Sequence, residues 1–308
     1  MASERIFPAF DLPVAERNLF WDARTWFDYF ALTKPEVNFL IVITTFAGFY
    51  LGRPSGDFQF LRSINAVLGT LFVASGTGTL NQYLERHFDA QMRRTSRRPL
   101  AGGRLNPSRV LWFGIGLSVL GTVYLAATVN LLASLLALGT LFSYLFFYTP
   151  LKRKSPLCTL VGAVPGAMPP LIGWAAASGE LSLGAWILYS VLFLWQFPHF
   201  MSIAWMYRGD YARAGYLVLP NDERARSGLV NWQTLLPLLL LLPLTLLPAL
   251  ISKVGAAYCM GAVLLGGGFL YYGAQFVVRK SNSSARQLLS ASIIYLPLLF
   301  MLMIAITK

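Results

Sequence analysis

Charge is scarce in this chain. Only 12% of its 308 residues are Asp, Glu, Lys or Arg, about half the ~25% usual in a soluble domain. Hydrophobic residues make up 56%, and the mean hydropathy is +0.57. That balance argues against a water-soluble globule and for a polytopic membrane protein. Cysteine is scarcer still. Cys158 and Cys259 are the only two, each within an apolar run and far apart, with no C-x-x-C. That pattern argues against a disulfide framework and against a zinc site. The first 35 residues lack a continuous apolar core and contain Asp11, Asp22 and Asp28, which argues against a secretory signal peptide and weakens a mitochondrial presequence. Acids are few, 13 against 25 Lys and Arg, for a net charge of +12. The excess does not point to nucleic acid. It sits in short loops between apolar runs, and no domain-sized stretch combines basic with aromatic residues.

What the chain does have is length in its apolar runs. Segments near 36–51, 62–84, 109–129, 131–149, 157–177, 184–206, 232–252, 255–277 and 287–306 each approach the ~20 residues that cross a hydrocarbon core. The expected fold is an all-α bundle of nine transmembrane helices. The shortest links, near Asn130 and Lys253, are where neighbouring spans are most easily merged or shifted. Residues 1–34 read as an interfacial lead-in carrying Phe20, Trp21, Trp26, Phe27 and Phe30, and 35–308 as one transmembrane domain. With the N-terminus inside, only Arg53, Arg62, Lys253 and Lys308 fall on the outer side. The positive-inside rule then gives an N-in, C-out topology, with a bacterial inner membrane as the leading location. Pro165, Pro169 and Pro170 should break the fifth span, and such broken backbone must face protein or a wet cavity. Pro198 should interrupt the sixth in the same way. Two long inner loops, each after an even-numbered helix, suggest two comparable halves.

The most informative stretch is NQYLERHFDAQMRRTSRRPLAGGR, from Asn81 to Arg104. Asn81, Glu85 and Asp89 are spaced by four, so on a helix they share one face. Arg93, Arg94, Arg97, Arg98 and Arg104 follow. Carboxylate and amide oxygens suit a hard divalent cation such as Mg²⁺, and clustered guanidinium groups suit phosphate oxygens. Side by side at a membrane surface, they point to a metal-bound diphosphate on a lipid-like tail. A second cluster, residues 195–220, places His199, Tyr207, Asp210 and Tyr211 near the inner end of the sixth span, where Asp210 can supply another carboxylate. A third, YTPLKRKSP, places Tyr148, Lys152, Arg153 and Lys154 at the inner end of the fourth. Glu36, beside Lys34 and Pro35, reads only as the point where a helix enters the membrane.

In this order the chain carries N-x-x-x-E-x-x-x-D with R-R-T-x-x-R-P-L, Y-T-P-L-K-R, G-A-x-P-P-L-I-G-W, P-H-F and D-Y-x-x-A-G-x-x-x-L-P. It resembles the UbiA-type intramembrane prenyltransferases over residues 30–306. The G-A-x-P-P-L-I-G-W, P-H-F and D-Y-x-x-A-G motifs are those of the branch that acts on haem. The resemblance implies a central cavity opening to the cytoplasmic side, with active-site loops at 85–108 and 207–231. It implies transfer of a farnesyl group from farnesyl diphosphate to a vinyl group of haem b. Mg²⁺ would be held by Asn81, Glu85, Asp89 and Asp210. The diphosphate would meet Arg94, Arg98, Lys152 and Arg153 beside Tyr148. For haem, the implied contacts are His199, Tyr207, Tyr211 and His87. A haem A synthase or terminal oxidase assembly factors are the implied protein partners. The chain departs from the family in two ways: Glu85 replaces the usual Asp, and the second site lacks a fuller aspartate repeat. Two other readings remain: a prenyltransferase for a quinone precursor or chlorophyllide, and a transporter of haem or an anionic lipid.

Overall fold

The computed structural model describes residues 23–54, 58–251 and 255–305. These are helical with no strand. Among them, nine helical spans are long and apolar enough to cross a membrane. Among the described residues a short helix α1 (Ala23–Leu32) comes first, and its Trp26, Phe27 and Phe30 are exposed. Phe20 and Trp21 lie outside the described residues, as does Lys253.

The first span is α2 (Pro35–Gly52), then α3 (Phe60–Asp89) and α4 (Pro107–Thr128). The fourth is composite, with α5 (Leu131–Phe142) running through a π-helical stretch (Ser143–Tyr148) into a closing turn α6 (Thr149–Leu151). The fifth is α7 (Cys158–Gly166) followed by α8 (Met168–Ser178), and the sixth is α9 (Leu183–Met206). A short helix α10 (Arg208–Arg213) leads to α11 (Glu223–Ile251), α12 (Ala256–Arg279) and α13 (Asn282–Ala305). Asn130 keeps the third and fourth spans apart. Its side chain accepts from Ala133 N at 2.8 Å, capping α5, and donates to Ala175 O at 2.8 Å.

Three ends differ most from the lengths hydropathy suggests. α3 continues past the apolar run to Asp89, α11 begins at Glu223 and α13 at Asn282. These additions are polar turns that hydropathy cannot assign. The expected break in the fifth span is present at Ala167, between α7 and α8. Pro169 and Pro170 sit in the first turn of α8, where a missing N–H costs least. Gln196 of α9 fills the break, donating to Ala163 O at 3.2 Å. The expected interruption at Pro198 is absent: α9 is continuous through it. Neighbouring helices bury that turn and tolerate the lost bond.

Two apolar clusters divide the molecule. One gathers Phe49, Val73, Leu125, Leu141 and Ile172 from the first five spans. The other gathers Trp195, Phe269, Tyr295 and Phe300, chiefly from the last four. Helices approach most closely where side chains vanish. A Cβ on Gly173 of α8 would overlap the Thr45 carbonyl of α2, and one on Gly76 of α3 would overlap Ser118 of α4. Small residues are how membrane helices gain contact, since lipid supplies no hydrophobic drive between them. Gly173→Ala should therefore lower the thermal midpoint in detergent sharply, by overpacking at ~1–3 kcal/mol or more. Gly116→Ala, with open space at its Cβ, should leave it unchanged. Equal melting curves for the two variants would refute this packing account.

Candidate functional site

Buried polarity collects at the C-terminal end of α3. Asn81, Glu85 and Asp89 are 1%, 6% and 2% exposed, as their four-residue spacing requires of one inward face. A bare carboxylate buried there is costly, and each is neutralised by a cation of the chain. Lys152 donates to both oxygens of Glu85 at 2.9 and 3.0 Å. Arg98 donates to Asp89 Oδ2 at 2.7 Å. The Asn81 amide donates to Glu85 Oε2 at 3.0 Å and to Thr149 Oγ1 at 3.2 Å, while its oxygen accepts from Lys34 Nζ at 2.8 Å. Burial alone would lower the Lys152 ammonium, but Glu85, with Tyr148 and Tyr144, outweighs it and holds that group well above the ordinary lysine value.

Three connecting segments close over these groups. After α3, Thr95 donates to Asp89 O at 2.8 Å, turning the chain back so that Arg98 reaches Asp89. Arg104 forks onto Asp28 of α1, with bonds of 2.8 to 3.1 Å. The Arg94 N–H donates to Asp210 Oδ2 at 3.2 Å, joining the loop after α3 to α10. Asp210 also pairs with Arg213. The Leu217 N–H donates to Lys152 O at 2.7 Å, joining the chain after α10 to the end of the fourth span. Aromatic rings pack the seam. Phe88 meets Tyr216 at 5.9 Å and Tyr211 meets Tyr216 at 6.1 Å. Arg153 lies over Phe88 at 4.2 Å, Lys152 over Tyr148 at 4.6 Å and Arg94 over Tyr207 at 4.9 Å. The π-helical stretch carries Tyr144 and Tyr148, whose rings lie 5.0 Å apart, beside the Glu85–Lys152 pair. π turns of this kind recur at functional sites.

Asn81, Glu85, Lys152 and Tyr148 are joined by direct contacts, Asp89 pairs with Arg98 one turn further along α3, and Tyr211 and Arg153 join through Tyr216 and Phe88. Asp210, Arg94 and Tyr207 form a cluster of their own, and among the described residues Asp210 does not gather with Glu85 and Asp89 into a set able to hold a metal ion. His87 joins neither. Two residues beyond Glu85, it is turned about 200° round the helix and is exposed. His199 lies apart, stacked on Trp195 at 4.7 Å, with Nδ1 2.8 Å from Ser292 Oγ. Ser292 donates its one proton to Leu289 O at 2.6 Å. The His199 Nδ1 must then be the donor, leaving Nε2 with an unprotonated lone pair.

Sequence reasoning missed Lys34, Thr149, Tyr144 and Tyr216. Thr149 had a signal, lying inside Y-T-P-L-K-R. Lys34 had none beyond its place before a helix-starting proline. Its position comes from tertiary contacts: Gln82 donates to Leu32 O at 2.9 Å, and Asn38 to Thr33 O at 2.8 Å, pinning the α1–α2 link to α3. Burial, then Arg98 and Lys152, push its ammonium down to about 7, against the pull of Glu85 and Asp89. Tyr216 has a buried hydroxyl that faces Glu85. An apolar groove of about 440 Å³ between α9 and α11, lined by Phe193, Leu194, Pro243 and Leu247, shares none of these residues.

With this geometry in hand, comparison with known proteins places the chain. The profile of the UbiA prenyltransferase family matches residues 41–304. The chain belongs to that family. Among its UbiA relatives, the protoheme IX farnesyltransferase of Solibacter usitatus is 46% identical over 286 residues, covering 90% of this chain and 97% of its own. Those of Salinibacter ruber and Koribacter versatilis are 43% and 41% identical, over 88% and 90% of this chain and 95% and 92% of their own. A structure of digeranylgeranylglyceryl phosphate synthase superposes with a TM-score of 0.74 at 18% identity, over 91% of this chain and 98% of that one. A UbiA homologue from Archaeoglobus fulgidus, solved with DMAPP and Mg²⁺, gives 0.62 at 15%, over 90% and 99%. At those identities the likeness is one of fold. This UbiA member is a multi-span membrane protein.

The buried ion pair sets a stability prediction. Lys152→Met strands Glu85 without a counter-ion and should cost about 3–5 kcal/mol. Adding Glu85→Gln should restore most of the loss. Detergent melting curves check this, and a double variant no more stable than Lys152→Met would contradict it.

Proposed function

We propose that this protein is a protoheme IX farnesyltransferase, moving the farnesyl group of farnesyl diphosphate to a vinyl group of haem b. The observation that carries the reading is sustained likeness to the farnesyltransferases, 46% identity over 90% of the chain. It occurs in a bundle whose inner-end carboxylates and cations meet at one place. Residues 35–308 form the catalytic domain, with 85–108 and 207–231 as its active-site loops and the cavity mouth on the cytoplasmic side. The setting is a bacterial inner membrane, N-terminus inside and C-terminus outside, with haem A synthase or oxidase assembly factors as protein partners.

The reaction balances as follows. The bond from farnesyl C1 to the diphosphate oxygen breaks, and its electron pair leaves with diphosphate. The terminal vinyl carbon of haem b bonds to C1. The cation left beside the porphyrin ring takes up water and loses a proton, giving a hydroxyethylfarnesyl side chain. The chain's own part is to make departure of diphosphate possible and to keep water from the allylic cation. Arg94, Arg98, Lys152 and Arg153 supply cationic donors for the diphosphate oxygens, preset before charge develops. Tyr148, with Tyr144, Phe88 and Tyr216, supplies aromatic faces that tolerate nearby positive charge and exclude solvent.

A divalent cation fits the donor chemistry. Asn81, Glu85 and Asp89 offer hard oxygens, and each already interacts with a cation of the chain. Among the described residues, no three His, Cys, Asp or Glu side chains gather to hold an ion alone, so diphosphate and water must complete its shell. Mg²⁺ held there, with Asp210 contributing, would neutralise charge on the departing diphosphate. His199 is assigned to haem: its Nε2 lone pair, set by the Ser292 contact, is suited to iron or to orienting the ring. Tyr207, at the end of α9, and Tyr211, in α10, are assigned to haem with it.

Incubating the purified protein with haem b, farnesyl diphosphate and Mg²⁺ should give farnesylated, hydrated haem by mass analysis. Asp89→Ala should cut the rate by roughly 10²–10³-fold. His199→Ala should weaken the haem absorbance change while diphosphate binding is retained. Absence of product, or an Asp89→Ala variant of normal rate, would overturn the assignment. Unchanged haem binding by His199→Ala would remove that residue alone.

A further inference from the structure

Lys34 is the one cation of the buried network to which the reaction above gives no work, and its setting is unusual. It adopts φ 55°, a left-handed conformation that lysine seldom takes. Its stem lies along Gly78 of α3, where an added Cβ would come within 3.5 Å of it. The backbone on its N-terminal side is tied down by Gln82 and Asn38. A lysine that merely extended toward water would need none of this.

The contact it makes fixes the orientation of Asn81 from two sides. An ammonium can only donate, so the amide oxygen must face Lys34, and a carboxylate can only accept, so the amide nitrogen must face Glu85. Asn81 thus presents N–H groups to the carboxylate and keeps its oxygen occupied. In that orientation it does not offer its oxygen alongside Glu85 to a metal ion. For Asn81 to act as a ligand, Lys34 must leave and the amide must turn. A displaced ammonium beside an arriving divalent cation, with Lys152 and Arg98 already close, is strongly unfavourable unless an anion arrives too.

We propose that Lys34 is a placeholder cation: it occupies the Asn81 amide oxygen until metal and diphosphate bind together, then shifts to the diphosphate. The proposal rests on the diphosphate reading above and extends it. Its consequence is positive coupling between the two ligands, carried by a two-position contact. Metal alone is resisted by Lys34, and diphosphate alone leaves the amide turned the wrong way.

Mn²⁺ titrations of the full chain in detergent, followed by electron paramagnetic resonance with and without inorganic diphosphate, provide the test. Lys34→Met should tighten binding of Mn²⁺ alone by about 5–10-fold and weaken Mn²⁺-dependent diphosphate binding by a similar factor. Lys34→Arg, which keeps the charge, should behave like the parent. A variant-free measurement runs beside it: the labelling rate of Lys34 by an amine reagent, read by peptide mass analysis. That rate should change with Mn²⁺ and diphosphate together, and little with Mn²⁺ alone. If Lys34→Met leaves Mn²⁺ affinity unchanged or weaker, or if Mn²⁺ alone alters labelling fully, the placeholder role is wrong while the diphosphate site stands. If the parent shows no Mn²⁺-dependent diphosphate binding, both fall.

Discussion

A carboxylate placed at the end of a membrane helix must be neutralised or it will not stay ionised there. The contact of Lys152 with both oxygens of Glu85 meets that constraint, and much of this end of the bundle is arranged around it. Lys152 comes from the fourth span and Glu85 from the second. The pair fixes two spans relative to each other, and the backbone of Lys152 then anchors the chain after α10 through Leu217. Buried pairs of this kind are weak sources of net stability. Their value lies in specificity, because a single misplaced partner leaves a charge stranded.

The same constraint explains why cations outnumber acids at this end. Glu85 and Asp89 each have a basic partner, and the Asn81 oxygen has a third, while Arg94 and Arg153 lie on aromatic faces and, among the described residues, their guanidinium groups pair with no carboxylate. A surplus of positive charge over buried acids suits a polyanionic ligand. The aromatic seam beneath suits the apolar group that such an anion carries. Fold and chemistry meet where α3 outlasts its apolar run: had the helix ended near Leu84, Asp89 would not continue the face that Asn81 and Glu85 begin.

Much of this was legible in the chain. Nine spans follow from apolar length alone, and the shared face of Asn81, Glu85 and Asp89 follows from helical period. The fifth-span break follows from clustered prolines. Pro198 was misjudged because one buried proline can be carried by its neighbours, which a lone sequence does not display. His87 was grouped with the site by proximity in the chain, although its spacing from Glu85 already turns it outward. Lys34 was unreadable for a different reason. Its role depends on a left-handed residue in the α1–α2 link and on side chains of α3 that lie more than forty positions away. Local pattern carries no trace of such long-range placement.

The proposed chemistry requires oxygen ligands and basic groups from separate spans to form one ligand site at the C-terminal end of α3. Crystals grown with Mn²⁺ and diphosphate, examined by anomalous scattering at the manganese edge, test that most directly. The expected result is an anomalous peak beside Glu85 and Asp89, with diphosphate density reaching Arg98 and Lys152. A peak bound elsewhere in the bundle, or diphosphate held away from these residues, would contradict it.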